Sequence, residues 1–182
     1  MDADFNNEKI CFKKIWDNSI NQEYVQYNCQ YPKYKFLDFL SNYENIIFHG
    51  SNVDVDMLYP SQGFCSKKRF GRMVAIYATK DSIIPIFKAI LNKKKIKSNY
   101  SFYVNTKDEI KTYNFNIDED HSTETLWCRG IIYIVSSSTF VRGTDDKGRN
   151  IDEYASEVPV KPIIKLNVQP NDFPYLDTIK FG

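Results

Sequence analysis

Apolar residues recur along the chain at two spacings. Helical spacing comes first. Residues 1–30 are polar and weakly helical, with Ile10, Phe12, Ile15 and Trp16 as their apolar positions. In residues 33–42, Tyr34, Leu37, Phe39 and Leu40 repeat at the period of a helix, and Pro32 suits its start. Residues 83–92 carry Ile83, Ile84, Ile86, Phe87, Ala89, Ile90 and Leu91, so a helix there is apolar nearly all round and predicts a buried one. Asp81 or Ser82 can cap it, and Pro85 falls in its first turn, where a missing N–H does no harm.

The other spacing is that of strands. Asn45-Ile-Ile-Phe-His-Gly50 is a short β-branched and aromatic run that ends in a turn at Gly50-Ser51-Asn52. Met73–Ala78 is a second short buried run. Ser101–Val104, Thr112–Ile117 and Arg129–Val135 also read as strands, and Val158–Val168 reads as the last long one. Residues 53–72 read as a surface loop, 140–150 as a polar excursion, and 171–182 as a tail closed by Asp172-Phe-Pro174. N-terminal helices, one buried central helix and about six strands predict an α+β domain.

Composition narrows the partners. The 182 residues are 42% hydrophobic and 15% aromatic, which is ample for a core. Lys+Arg is 24 and Asp+Glu is 23, a net charge of +1, so nucleic acid or a membrane surface would have to be met by a local patch. Two such patches exist: Lys67, Lys68, Arg69 and Arg72, and the run Lys93, Lys94, Lys95 and Lys97. Each is read first as a solvated face. No apolar run reaches the roughly 18 residues of a spanning helix, and the polar N-terminus lacks a secretory pattern, so the expected location is cytoplasmic. Cys11, Cys29, Cys65 and Cys128 are scattered without a CxxC pair, so free buried thiols are expected and zinc is not.

Chemistry could sit at few places. His121, in Asp118-Glu-Asp-His, reads as a solvated turn residue. His49 ends an apolar strand beside a glycine. It reads either as a hydrogen-bonded core histidine or as the platform of a small-molecule site. Tyr77, followed by Ala78-Thr79, is either a core ring or a face for a flat ligand. Glu153 and Glu157 stand before the expected last strand. Without GxGxxG, a Rossmann dehydrogenase has no support.

Ile46-Ile-Phe-His-Gly-Ser51, then Ile76-Tyr-Ala-Thr-Lys-Asp81 ahead of a buried helix, then a late acid, resemble the ADP-ribosyltransferase superfamily. The similarity is to the histidine–tyrosine–glutamate branch that includes diphtheria-toxin-like enzymes and poly(ADP-ribose) polymerases. The segment Glu153-Tyr-Ala-Ser…Val160-Lys-Pro162…Val168-Gln-Pro170-Asn-Asp-Phe-Pro174 is similar to the end of small bacterial proteins of this kind. The resemblance spans residues 32–178.

The resemblance implies a split β-sandwich over residues 32–182, with 1–31 as a helical extension and NAD, a co-substrate, in a cleft between two sheets. His49 would bond the adenosine ribose, the Gly50 backbone would clamp the carboxamide with Ser51 assisting, and Tyr77, with Ala78 and Thr79 beside it, would stack on nicotinamide. Glu157, or else Glu153, would stabilise the oxocarbenium-like centre as nicotinamide leaves. Phe87 is the candidate second aromatic; the alternative is a core ring. Lys67, Lys68, Arg69 and Arg72 would rim the cleft and meet a diphosphate or a phosphate-bearing acceptor.

The implied activity is transfer of ADP-ribose to a protein or nucleic acid by a bacterial or phage-related toxin or defence factor, with an antitoxin as a further partner and no metal. NAD hydrolysis, removal of an RNA 2′-phosphate, and a non-catalytic ADP-ribose or protein-binding module are the alternatives.

Overall fold

In a computed structural model, residues 3–62, 70, 73–105, 111–118, 126–145 and 147–182 are described. Helix α1 spans Ala3–Ser19 and α2 spans Lys33–Ser41. Strands β1 (Ile46–Ser51), β2 (Ser61–Gln62) and β3 (Val74–Ala78) follow, then helix α3 (Ile84–Ile90). After it come β4 (Ser98–Asn105), β5 (Lys111–Asp118), β6 (Gly130–Ser136), β7 (Val141–Thr144), β8 (Asn150–Ser156), β9 (Ile164–Val168) and β10 (Lys180–Phe181). The fold is mixed α+β, and among the described residues its sheets are antiparallel except where β10 joins β5.

One sheet runs β1-β6-β9 and has a hydrophobic core on each face. Ile46, Phe48, Ile132, Ile134, Ile164 and Leu166 pack with α1, α2, α3 and β5 on one side. Ile47, Ile131, Tyr133 and Val135 pack on the other side against Ile76 and Ala78 of β3. Burial on both faces explains why β6 reads as an unbroken apolar run and does not alternate. A second sheet runs β2-β3-β8-β7, and a third runs β10-β5-β4.

Helix α3 lies so close to the first sheet that two strand positions must be glycine. A Cβ on Gly50 would stand 2.0 Å from Pro85 O, and one on Gly130 would stand 2.2 Å from Ala89 O. The N-cap position falls on Ile83, not on Asp81 or Ser82, and Asp81 holds the turn that leads into the helix: its Oδ1 accepts from the N–H groups of Ile83 (2.9 Å) and Ile84 (2.8 Å). Its Oδ2 takes the Lys111 ammonium and the Tyr113 hydroxyl, both at 2.7 Å, which ties the third sheet to the helix. Asp81 is wholly buried, so these four bonds are what keep its charge tolerable there.

The sequence expectations need correction in four places. The polar excursion at 140–150 holds β7 and leads into β8, so Glu153 lies inside a strand and does not precede one. Residues 158–163 are not strand. Pro159 and Pro162 interrupt them, and β9 begins at Ile164. Glu157 therefore sits in the turn after β8, beside Val160, which bridges to Leu58. Third, Cys11 and Cys29 are joined in a disulfide, because the chain after α1 folds back along it; Cys128 is a free thiol. Fourth, the N-terminal residues belong to the main core: Phe12 and Ile15 are buried in it, and Val25 N–H donates to Lys165 O (2.8 Å) at the edge of β9. No helix among the described residues is long and apolar enough to cross a membrane.

Candidate functional site

The first two sheets meet along a single rung. Phe48 N–H donates to Thr79 O (2.8 Å), and Thr79 N–H donates to Phe48 O (3.0 Å). The next rung would pair Gly50 with Tyr77, but none forms there, and the strands part. A strand turns the polar groups of alternate residues to the same edge. The N–H and C=O of Gly50 therefore face the split, as those of Phe48 face Thr79. On the other side, β3 is held by Ser61 at Ala75 and by Phe48 at Thr79, with Tyr77 between the two attachments.

His49 spans the gap. Its Nδ1 lies 2.6 Å from Tyr77 O. A carbonyl only accepts, so Nδ1 carries the proton and Nε2 of the neutral ring is left as an acceptor. Burial lowers the imidazole pKa below its ordinary value; the bond to Tyr77 O works against this, and the charge of Lys93 adds to it. The ring packs at 6.0 Å from Tyr133, whose hydroxyl donates to Val53 O (2.6 Å) and accepts from Val55 N–H (2.9 Å). Tyr133 thus holds the chain that leaves β1. Ser51 holds the same turn, accepting from Val53 N–H at 3.2 Å.

Tyr77 is half-buried. Its hydroxyl is shared between Phe70 O and Met73 O, each at 2.9 Å, and its ring meets Phe70 edge-on at 6.2 Å. Across β3 and β8, Tyr77 pairs with Ala155, so Glu153, two residues before Ala155, lies on the same face of that sheet. Its carboxylate is exposed. The neighbouring Asp152 is on the other face and is fully engaged. It accepts from Lys80 N–H (2.9 Å) and from Tyr103 OH (3.3 Å), which fixes the start of β8 against the end of β3. Sequence reasoning passed over Asp152, and no local pattern marks it.

The structure thus brings together His49, Gly50, Tyr77, Thr79 and, by register, Glu153. Ala78 is nearby but points into the second core. Phe87 is elsewhere: it is wholly buried, 4.8 Å from Phe115 and 5.6 Å from Phe173, and offers no ring face to a ligand. Lys67, Lys68, Arg69 and Arg72 lie outside the described residues, as does His121. Among the described residues, no group of three or more His, Cys, Asp or Glu side chains is placed to hold a metal ion. Compared with protein-family models, with curated proteins and with solved structures, the chain matches none.

Proposed function

We propose that the protein is an NAD-dependent ADP-ribosyltransferase of the histidine–tyrosine–glutamate type, built on a split β-sandwich, which transfers ADP-ribose to a macromolecular acceptor. The observation that carries this reading is the split itself. One rung past Phe48–Thr79, the backbone edge of Gly50 faces the strand of Tyr77, with His49 bonded across the gap.

The residues suit NAD chemically. A carboxamide has one acceptor oxygen and N–H donors, which complement a strand edge offering one N–H and one C=O. Gly50 is that edge, and Tyr77, on the strand across the split, would supply the aromatic ring. The neutral His49 offers Nε2 to a ribose hydroxyl. NAD supplies a pyridinium leaving group, and its departure leaves positive charge on the ribose. Glu153, on the face of Tyr77, is the acid we assign to stabilise that charge, because Glu157 lies beyond the strand. Asp152, accepting from Lys80 N–H, fixes the start of β8 against the end of β3.

The test is release of nicotinamide from NAD by the purified chain, with and without cell lysate as a source of acceptor. Release that needs lysate and labels a macromolecule supports transfer. Release with water alone makes the protein an NAD hydrolase. No release from folded protein in either condition, with NAD still bound, makes it a binding module and refutes the enzyme reading.

A further inference from the structure

Three segments of chain meet at the C-terminal end of β1. Asn52, the first residue past the strand, donates its side-chain amide to Leu91 O (3.0 Å) and to Cys128 Sγ (3.6 Å). Cys128 N–H donates to Ile90 O (2.9 Å), and Asn92 N–H donates to Leu126 O (2.8 Å). These bonds seat the end of α3 and the approach to β6 beside the turn that follows His49-Gly50-Ser51. The chain then reverses, with Lys95 N–H donating to Asn92 O (2.8 Å), and displays Lys93, Lys94 and Lys95 in succession, all exposed.

Arg129, exposed, follows Cys128 in this junction and stands directly before β6. Alternation back from Ile131 places it on the face of the sheet that carries Ser51, His49 and Tyr133. Among the described residues, Lys93, Lys94, Lys95 and Arg129 meet no carboxylate. The acids of the loop after Asn52 are already committed: the Lys165 ammonium binds Asp54 (2.8 Å) and Asp56 (3.3 Å). Among the described residues, four cations at one end of the candidate site therefore have no carboxylate partner. Lys93 is close enough for its charge to depress the His49 pKa, and although the residue is exposed, desolvation of its ammonium lowers its own pKa.

We infer that Lys93 and Arg129 form a phosphate-binding rim of the His49 site and hold a phosphate of the nucleotide seated against the imidazole. This rests on the reading of the β1–β3 split as a nucleotide site and adds the group that meets the ligand's charge. The pair is suited to it: a guanidinium grips phosphate oxygens two at a time, and an ammonium supplies a mobile point charge. Lys94 and Lys95 extend the positive field outward and draw anions to the mouth. The phosphate has two sources, the diphosphate of a dinucleotide or the backbone of a nucleic-acid acceptor.

The experiment is calorimetric titration of the full chain with ADP-ribose, with adenosine and with a short single-stranded RNA. The proteins are the wild type, the double variant Lys93→Gln/Arg129→Gln, and Lys161→Gln, an exposed lysine elsewhere, as control. The wild type and Lys161→Gln should bind ADP-ribose or the RNA at least about tenfold more tightly than adenosine, as expected for charge-assisted bonds. In the double variant that gap should close while adenosine affinity stays the same. A gap carried by ADP-ribose assigns the rim to the dinucleotide, and one carried only by RNA assigns it to the acceptor. An unchanged gap in the double variant, or no phosphate-dependent binding at all, overturns the inference. Nicotinamide release with an unchanged gap removes the rim and keeps the enzyme. A gap that closes in a protein releasing no nicotinamide keeps the rim and removes the enzyme.

Discussion

His49, Tyr77 and Glu153 differ in what holds them. His49 is fixed by one short bond and by burial, Tyr77 by its hydroxyl, and Glu153 by strand register alone. An acid placed only by backbone register keeps its carboxylate available, which a charge-stabilising group requires. Glu153→Gln should lower nicotinamide release by roughly 10²–10³-fold, whereas Glu157→Gln should leave it within about threefold; steady-state rates on both variants check this. The histidine carries a pH prediction. Its folded pKa is depressed, so below the ordinary value of about 6.5 the unfolded chain takes up a proton that the folded chain resists. Its contribution to stability is present above that pH and is lost as the pH falls through and below it. Urea unfolding across this window should show a shallower loss for His49→Gln than for the wild type. Equal slopes would mean that the ring is not held neutral.

At the scale of elements, α3 and β1 are matched by glycine. The Gly50→Ala methyl would run into the Pro85 carbonyl, so helix and strand must separate. The expected cost is about 3 kcal/mol, or a fall in Tm of roughly 6–12 °C for a chain of this size. Phe87→Ala should cost about 3–5 kcal/mol by leaving a cavity, without altering ADP-ribose affinity, because its ring lies in the core and not at the split. Thermal unfolding and calorimetry on the same variant separate the two effects.

These elements also show what sequence could convey. The apolar helix at 83–92 and the runs at 45–50, 73–78 and 129–135 were legible, because burial leaves a dense apolar signature whatever the partner. Strands β7 and β8 were not. Asn150-Ile-Asp-Glu-Tyr-Ala-Ser156 has exposed polar positions and follows a polar turn at Gly148, and only pairing with β3 gives it an inner face. The last strand was drawn too long because Val158 and Val160 look like strand residues, while the prolines beside them decide otherwise. At the candidate site, the sequence marks His49 and Tyr77 as polar aromatics at strand ends, and the structure sets His49 Nδ1 2.6 Å from Tyr77 O. That Glu153 shares the face of Tyr77 while Glu157 lies past the strand was not legible, because register is a long-range property that spacing cannot reveal. The Cys11–Cys29 pair was missed for a related reason: it depends on the chain after α1 folding back.

At the scale of the whole molecule, the described part of the first 31 residues is built into the domain. Lys165, nearly wholly buried on β9, binds Glu23 at 3.0 Å as well as Asp54 and Asp56, and Tyr24 bonds Asp54 in turn. Burial works against its charge, yet the bonds to Asp54, Glu23 and Asp56 raise the Lys165 pKa. One ammonium thus ties the N-terminal segment to the loop that leaves the candidate site. Cys11→Ser, which opens the other tie, should lower stability by about 3 kcal/mol given the 18-residue separation of the pair, measured by unfolding under non-reducing conditions.

In the proposed function, a nicotinamide ring lies at the parting of β1 and β3. The most direct measurement is a crystal structure of Glu153→Gln with NAD, the substitution serving to slow turnover. The carboxamide is expected on the backbone of Gly50, the ring over Tyr77 and a ribose hydroxyl at His49 Nε2. A dinucleotide bound away from that parting, or a parting closed by a Gly50–Tyr77 rung in the complex, would contradict it.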